Sequence, residues 1–118
     1  DKQARRRLPP LDLFQSAGAF DAAVREPFCA RLDAERAERR GAPVNRASGD
    51  QFDACIAPSE QTVLLGSSNA RTFDRMTILV APYAAGPYAE GTYEIDLPVT
   101  AAVLDAVKPE LRAEFSAR

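Results

Sequence analysis

The chain has 118 residues, enough for one domain (1–118), since a second would be left without a core of its own. Hydrophobic residues make up 46% and charged residues 27%, with both signs interspersed, which is a globular composition and not that of a disordered or collagen-like chain. A formal charge of −2 excludes the broad basic face that neutralises phosphates, so no nucleic acid is expected as a partner.

The run Arg5, Arg6, Arg7 sits in a polar N-terminal stretch and reads as a solvated arm. No apolar run approaches the roughly 18 residues of a membrane span, and no signal-peptide core is present. The sequence starts at Asp1 without a methionine and is read as a piece of something longer. A signal peptide or membrane anchor would then lie upstream, and membrane contact is expected only through such a segment.

"LPPLDLF" (residues 8–14) follows a double proline with alternating residues and reads as a short edge segment or turn feeding a helix. From Ser16 the pattern changes to a period near 3.6. Phe20, Val24, Phe28, Leu32 and Glu35 follow it, while "RLDAERAERR" supplies a charged outer face. Pro27 lies inside this helix and should kink or split it near Glu26, because its ring clashes with the preceding turn and it has no N–H to donate. Arg39 and Arg40 suit the negative end of the helix dipole, and Gly41 suits a left-handed cap. "GAPVNRASGD" is then a loop.

The second half predicts three strands, mostly antiparallel. "QTVLLG" (61–66) and "RMTILVA" (75–81) are β-branched and apolar, with turn chemistry in "GSSNA" between them. "GTYEIDL" (91–97) alternates, with Tyr93, Ile95 and Leu97 on one face. Thr100 is the expected N-cap of "AAVLDAV", whose buried stripe is Val103, Leu104 and Val107. Pro109 should end that helix and open "PELRAEF", with Leu111 and Phe115 facing the core. The expected fold is two-layer α+β: a mainly antiparallel sheet packed by the long amphipathic helix and a C-terminal helix.

The chain contains no histidine, which removes the Ser-His-Asp and Cys-His nucleophile pairs and any histidine-based metal site. No metal and no cofactor is expected. Asp50, Asp53, Glu60, Asp74, Glu90, Glu94 and Asp96 are available carboxylates, but no spacing singles out the pair that glycoside hydrolysis needs. Cys29 and Cys55 are too far apart for a CxxC redox pair and too few for a zinc site. They are either independent buried thiols or one disulfide tying the first helix to "FDACI". The disulfide is the expectation carried forward, and it implies an oxidising compartment.

Between the second and third strands the unit Pro-Tyr-Ala-x-Gly occurs twice in succession, "PYAAGPYAEG". Two short copies are too few for a solenoid, and tyrosines between strong strands do not suit a flexible linker, so this is a structured turn. Prolines limit the freedom lost on binding and tyrosines give contact area at low entropic cost. Tyr83, Tyr88 and Glu90 are therefore the candidate ligand-binding residues. The alternative is that the tyrosine rings cap the edge of the core.

The stretch "DRMTILVAPYAAGPYAEGTYEIDLPVTAAVLDAVKPELRAEF" resembles the C-terminal end of the RsiV-type extracytoplasmic domain family, also known as a companion of the PdaC-like domain. In that family a strand leads into a "PY...PYAxG" loop, then a strand and a helix. The corresponding positions are Ile78 to Pro82, then Pro87, Tyr88, Ala89 and Gly91, then Tyr93 to Pro98, then Thr100 to Val107. The Leu-Asp-Leu-Phe lead-in to the family's long helix has its counterpart at Leu11, Asp12, Leu13 and Phe14. The family's upstream strand region, with a Gly-Gly-Ala-His-like stretch, has no counterpart in this sequence.

The resemblance implies a non-catalytic binding module of the cell envelope, in the periplasm or at the cell surface. The family's anti-sigma member binds lysozyme through its extracellular domain and is then proteolysed to release a sigma factor. An envelope protein such as lysozyme, or a wall glycan, is the expected partner. Glu90, Glu94 and Asp96 would complement the basic lysozyme surface. The alternatives are a carbohydrate-active enzyme using paired carboxylates on wall glycan, and a structural companion domain.

Overall fold

The structure is a computed structural model that describes residues 9–50, 53–82, 84, 86 and 91–117. Its longest element is helix α1, Ala17–Arg40. Ser16 opens it by accepting a hydrogen bond from the Ala19 N–H at 3.0 Å. Gly41 closes it at φ 71°, where the Gly41 and Ala42 N–H groups both donate to the Ala37 carbonyl. Phe20, Val24, Phe28 and Leu32 form the expected stripe and are fully buried.

Two features of α1 differ from expectation. The helix runs unbroken through Pro27. Pro27 lies on the exposed flank, while Val24 before it and Phe28 after it are both locked into the core. Burying two such side chains, at roughly 1.5–3 kcal/mol each, offsets the roughly 3 kcal/mol that an interior proline costs. The buried stripe also continues to Arg36 rather than Glu35, which places a cation where sequence reading put a solvated outer face.

Three strands, β1 (Thr62–Gly66), β2 (Arg75–Val80) and β3 (Tyr93–Pro98), form a wholly antiparallel sheet in the order β1-β2-β3. Alternation sends Val63, Met76, Ile78, Val80, Tyr93, Ile95 and Leu97 to one face, where they are buried. Helix α1 covers that face, meeting the sheet chiefly at β3. The fold is thus a two-layer α+β domain with its core between helix and sheet.

Both ends of the chain join this core. A 3-10 turn at Pro10–Leu13 delivers Leu13 and Phe14, and the Phe14 ring stands edge-on to Phe20 at 4.8 Å. Helix α2, Ala101–Ala106, is capped by Thr100 and buries Val103 and Ala106. It ends three residues before Pro109, because Val107 is extended and pairs with Phe14, and because a residue preceding proline disfavours helical geometry. A final 3-10 segment, Pro109–Glu114, brings Leu111 and Phe115 inward, and Phe115 pairs in parallel with Phe73.

The β1–β2 connection is organised by side chains acting as backbone. Ser67 Oγ accepts from the Ala70 N–H at 2.8 Å, and Asn69 Oδ1 accepts from the N–H groups of Arg71 and Thr72 at 2.8 and 2.9 Å. Asp74, only 5% exposed, accepts from the Ser68 N–H at 2.9 Å and from the Ser68 hydroxyl. The tight path forces Ala70 to φ 63°, the left-handed region where a Cβ is strained by about 1 kcal/mol. Ala70→Gly is therefore expected to stabilise by about 0.5 kcal/mol in chemical denaturation, after its greater unfolded-state freedom is subtracted. Ala34→Gly on the exposed side of α1 should instead destabilise by about 1 kcal/mol.

Candidate functional site

After Gly41 the chain turns and runs back along α1 as a strap whose described residues include the short 3-10 turns Arg46–Ser48 and Pro58–Glu60. Such a segment has no ladder to satisfy its polar groups, so helix side chains do it. Arg40 pairs with Asp53 at 3.2 Å, Arg36 donates to the Ala54 carbonyl at 2.7 Å, and Cys29 is disulfide-bonded to Cys55. Further back, Asp21 accepts from the Ser59 N–H and hydroxyl at 2.7 and 2.6 Å. From Asp53 onward the helix positions descend as the strap positions rise, so there the two run antiparallel and are tied at four levels.

The disulfide spans a Cα–Cα distance of 5.7 Å and a sequence separation of 26, and among the described residues no cysteine is free. It is half-exposed, with Arg25 and Arg46 lining the groove beside it. Arg46 also reaches across the strap, donating to the Asp33 carboxylate and to the Asp53 carbonyl. Ser48 donates to Asp53 Oδ2 at 2.6 Å, the carboxylate oxygen that Arg40 does not hold.

Arg36 is the centre of this network. Its side chain is 0% exposed, with Nη1 on Ala54 O and 3.4 Å from Asp33 Oδ1. Burial first, and then the neighbouring charge of Arg40, push its pKa below the ordinary arginine value, while Asp33 acts in the opposite direction. An arginine suits the place because it stays charged and its stem contributes apolar packing.

The candidate ligand residues Tyr83, Tyr88 and Glu90 lie outside the described residues. The roots of their loop are described. It leaves β2 beyond Val80, whose partner in the ladder is Tyr93, and turns at once as the Ala84 N–H donates to the Ala81 carbonyl at 3.1 Å. Ala84 packs against the core and Gly86 is buried. On the return, Gly91 takes φ 76°, a left-handed conformation that glycine adopts without strain. Arg39 of α1 then holds the Thr92 carbonyl at 2.9 Å while its guanidinium lies 3.9 Å above the Tyr93 ring. The loop therefore springs from the end of the domain where α1 terminates.

The carboxylates scatter. Asp53 belongs to the strap and Asp74 to the β1–β2 turn, where both accept structural hydrogen bonds. Glu94 and Asp96 are exposed on the outer face of β3, and Asp96 accepts from Thr77 Oγ1 at 2.6 Å. Among the described residues no group of three or more His, Cys, Asp or Glu could hold a metal ion, and no helix is long and apolar enough to cross a membrane. Sequence reading missed Arg36 and the buried role of Asp74; the one available signal for Arg36 is its spacing of four from Leu32 on the apolar stripe.

Against known proteins, no protein family, no curated protein and no solved structure matches the chain.

The strap makes a direct demand on Arg36. Arg36→Ala removes the donor to Ala54 and leaves a cavity, and should destabilise by about 3–5 kcal/mol in urea denaturation. Arg36→Met keeps most of the volume and should lose only about 1–2 kcal/mol. Equal losses for the two would show that the hydrogen bond alone, and not packing, holds the strap there, and an Arg36→Met variant as stable as the parent would show the reverse.

Proposed function

We propose that this chain is a non-catalytic cell-envelope binding module of the RsiV type, which engages an extracellular protein such as lysozyme, or a wall glycan, through the β2–β3 loop. The observation that carries the reading is the Cys29–Cys55 disulfide, since such bonds form and persist outside the reducing cytoplasm. The same bond supports the extracytoplasmic location that the proposal includes.

Two further features support it. The order strand, loop, strand, helix across β2, β3 and α2 is the order that the sequence resemblance calls for. The loop roots are held by Arg39, by the buried Gly86 and by Ala84 on the core, so a ligand meeting the loop has less chain to order at its base. In this reading Tyr83 and Tyr88 supply contact area and Glu90 faces a basic partner.

Calorimetric titration of the chain with purified lysozyme and, separately, with soluble muropeptides tests the proposal. One of the two is expected to bind. Tyr88→Ala and Glu90→Ala should each weaken it by about tenfold or more with the unfolding midpoint unchanged. Lysozyme binding should also weaken as salt is raised. Absence of binding to both probes, or variants that bind like the parent, would overturn the assignment of the loop.

A further inference from the structure

Strand β1 is one edge of the sheet, paired to β2 on one side only. Among the described residues, its outward backbone N–H and C=O groups make no hydrogen bond. Its sequence, Thr-Val-Leu-Leu-Gly, carries none of the usual protections of an exposed edge, having no lysine, no other charge and no proline. Leu64 at its midpoint is 47% exposed, the single exposed large apolar side chain among the described residues. Leu65 beside it is only half-buried.

We propose that β1 pairs with β1 of a second copy of this chain, antiparallel about Leu64, joining two three-stranded sheets into one of six strands. The strand is self-complementary in that register. Leu64 of one copy falls opposite Leu64 of the other on the outer face, Val63 opposite Leu65 on the inner face, and Thr62 opposite Gly66. Beyond the strand, Glu60 falls across from Ser68, so no like charges meet. The interface is isologous, and its two-fold axis stands perpendicular to the sheet, which keeps both inner faces on one side.

Among the described residues nothing in the packing opposes this. Helix α1 meets the sheet chiefly at β3, the strand farthest from the joined edge. The Pro10–Leu13 turn neighbours β1, but Leu13 is buried in the core and its carbonyl accepts from Lys108, not from β1. Main-chain hydrogen bonds would supply the affinity and the two leucines the specificity, as in strand addition generally. A joined edge of five residues a side is short, so the dimer is weak and concentration-dependent.

Sedimentation equilibrium of the full chain from about 5 μM to about 1 mM tests this, and the expected result is a monomer at the low end and a dimer at the high end. Leu64→Lys and Leu64→Glu place like charges at the two-fold axis, and each should weaken self-association by roughly tenfold or more. Because Leu64 is exposed, both variants should keep the parent's unfolding midpoint. An equimolar mixture of the two should recover association, since lysine then faces glutamate. A parent that stays monomeric throughout, single variants that associate as tightly as the parent, or a mixture that does not recover would each overturn the proposal.

Discussion

The constraint on which the rest depends is the tie between α1 and the strap that follows it. Among the described residues between Gly41 and Gln61 there is no strand and the helical turns are short 3-10 ones, so left alone this segment would expose the flank of α1 and add little to the core. The covalent bond from Cys29 to Cys55 removes most of the freedom such a segment would otherwise keep. Once the bond is in place, Ala54 lies over Arg36 and Asp53 beside Arg40. The buried guanidinium is then affordable, because its hydrogen-bond acceptor is delivered to it.

The same tie reaches the sheet. With Phe28 and Leu32 fixed against the inner face, the C-terminal turn of α1 is carried to the start of β3, where Arg39 holds the Thr92 carbonyl and covers Tyr93. The strap at one flank of the helix and the β2–β3 loop at its end are thus held by neighbouring arginines on one element.

Much of this fold was legible in the sequence, and what was legible was local or periodic. The apolar stripe of α1, the Gly41 cap, the Thr100 cap and the alternation of β3 follow from spacing and residue chemistry, while for the two cysteines the sequence left a disulfide and two independent thiols both open and the structure shows the disulfide. What was hidden depends on distant parts of the chain. Arg36 reads as surface charge because only the strap, far along the sequence, buries it. The continuity of α1 through Pro27 depends on tertiary packing on both sides of the proline, which overrides the local penalty. Asp74 reads as one acid among several until the turn folds back to place Ser68 on it. Of the candidate site, the described residues include the roots and the anchoring arginine, which carry no aromatic signature in the sequence, while Tyr83, Tyr88 and Glu90 lie outside them.

The central claim is that the Cys29–Cys55 disulfide holds the strap on the helix, and a thiol count tests it most directly. Protein recovered from its native compartment, unfolded without reductant and titrated for thiol, is predicted to show none, and reduction should then lower its stability by about 3 kcal/mol. Two titratable thiols, with the same unfolding midpoint before and after reductant, would contradict the tie and remove the support for the proposed location.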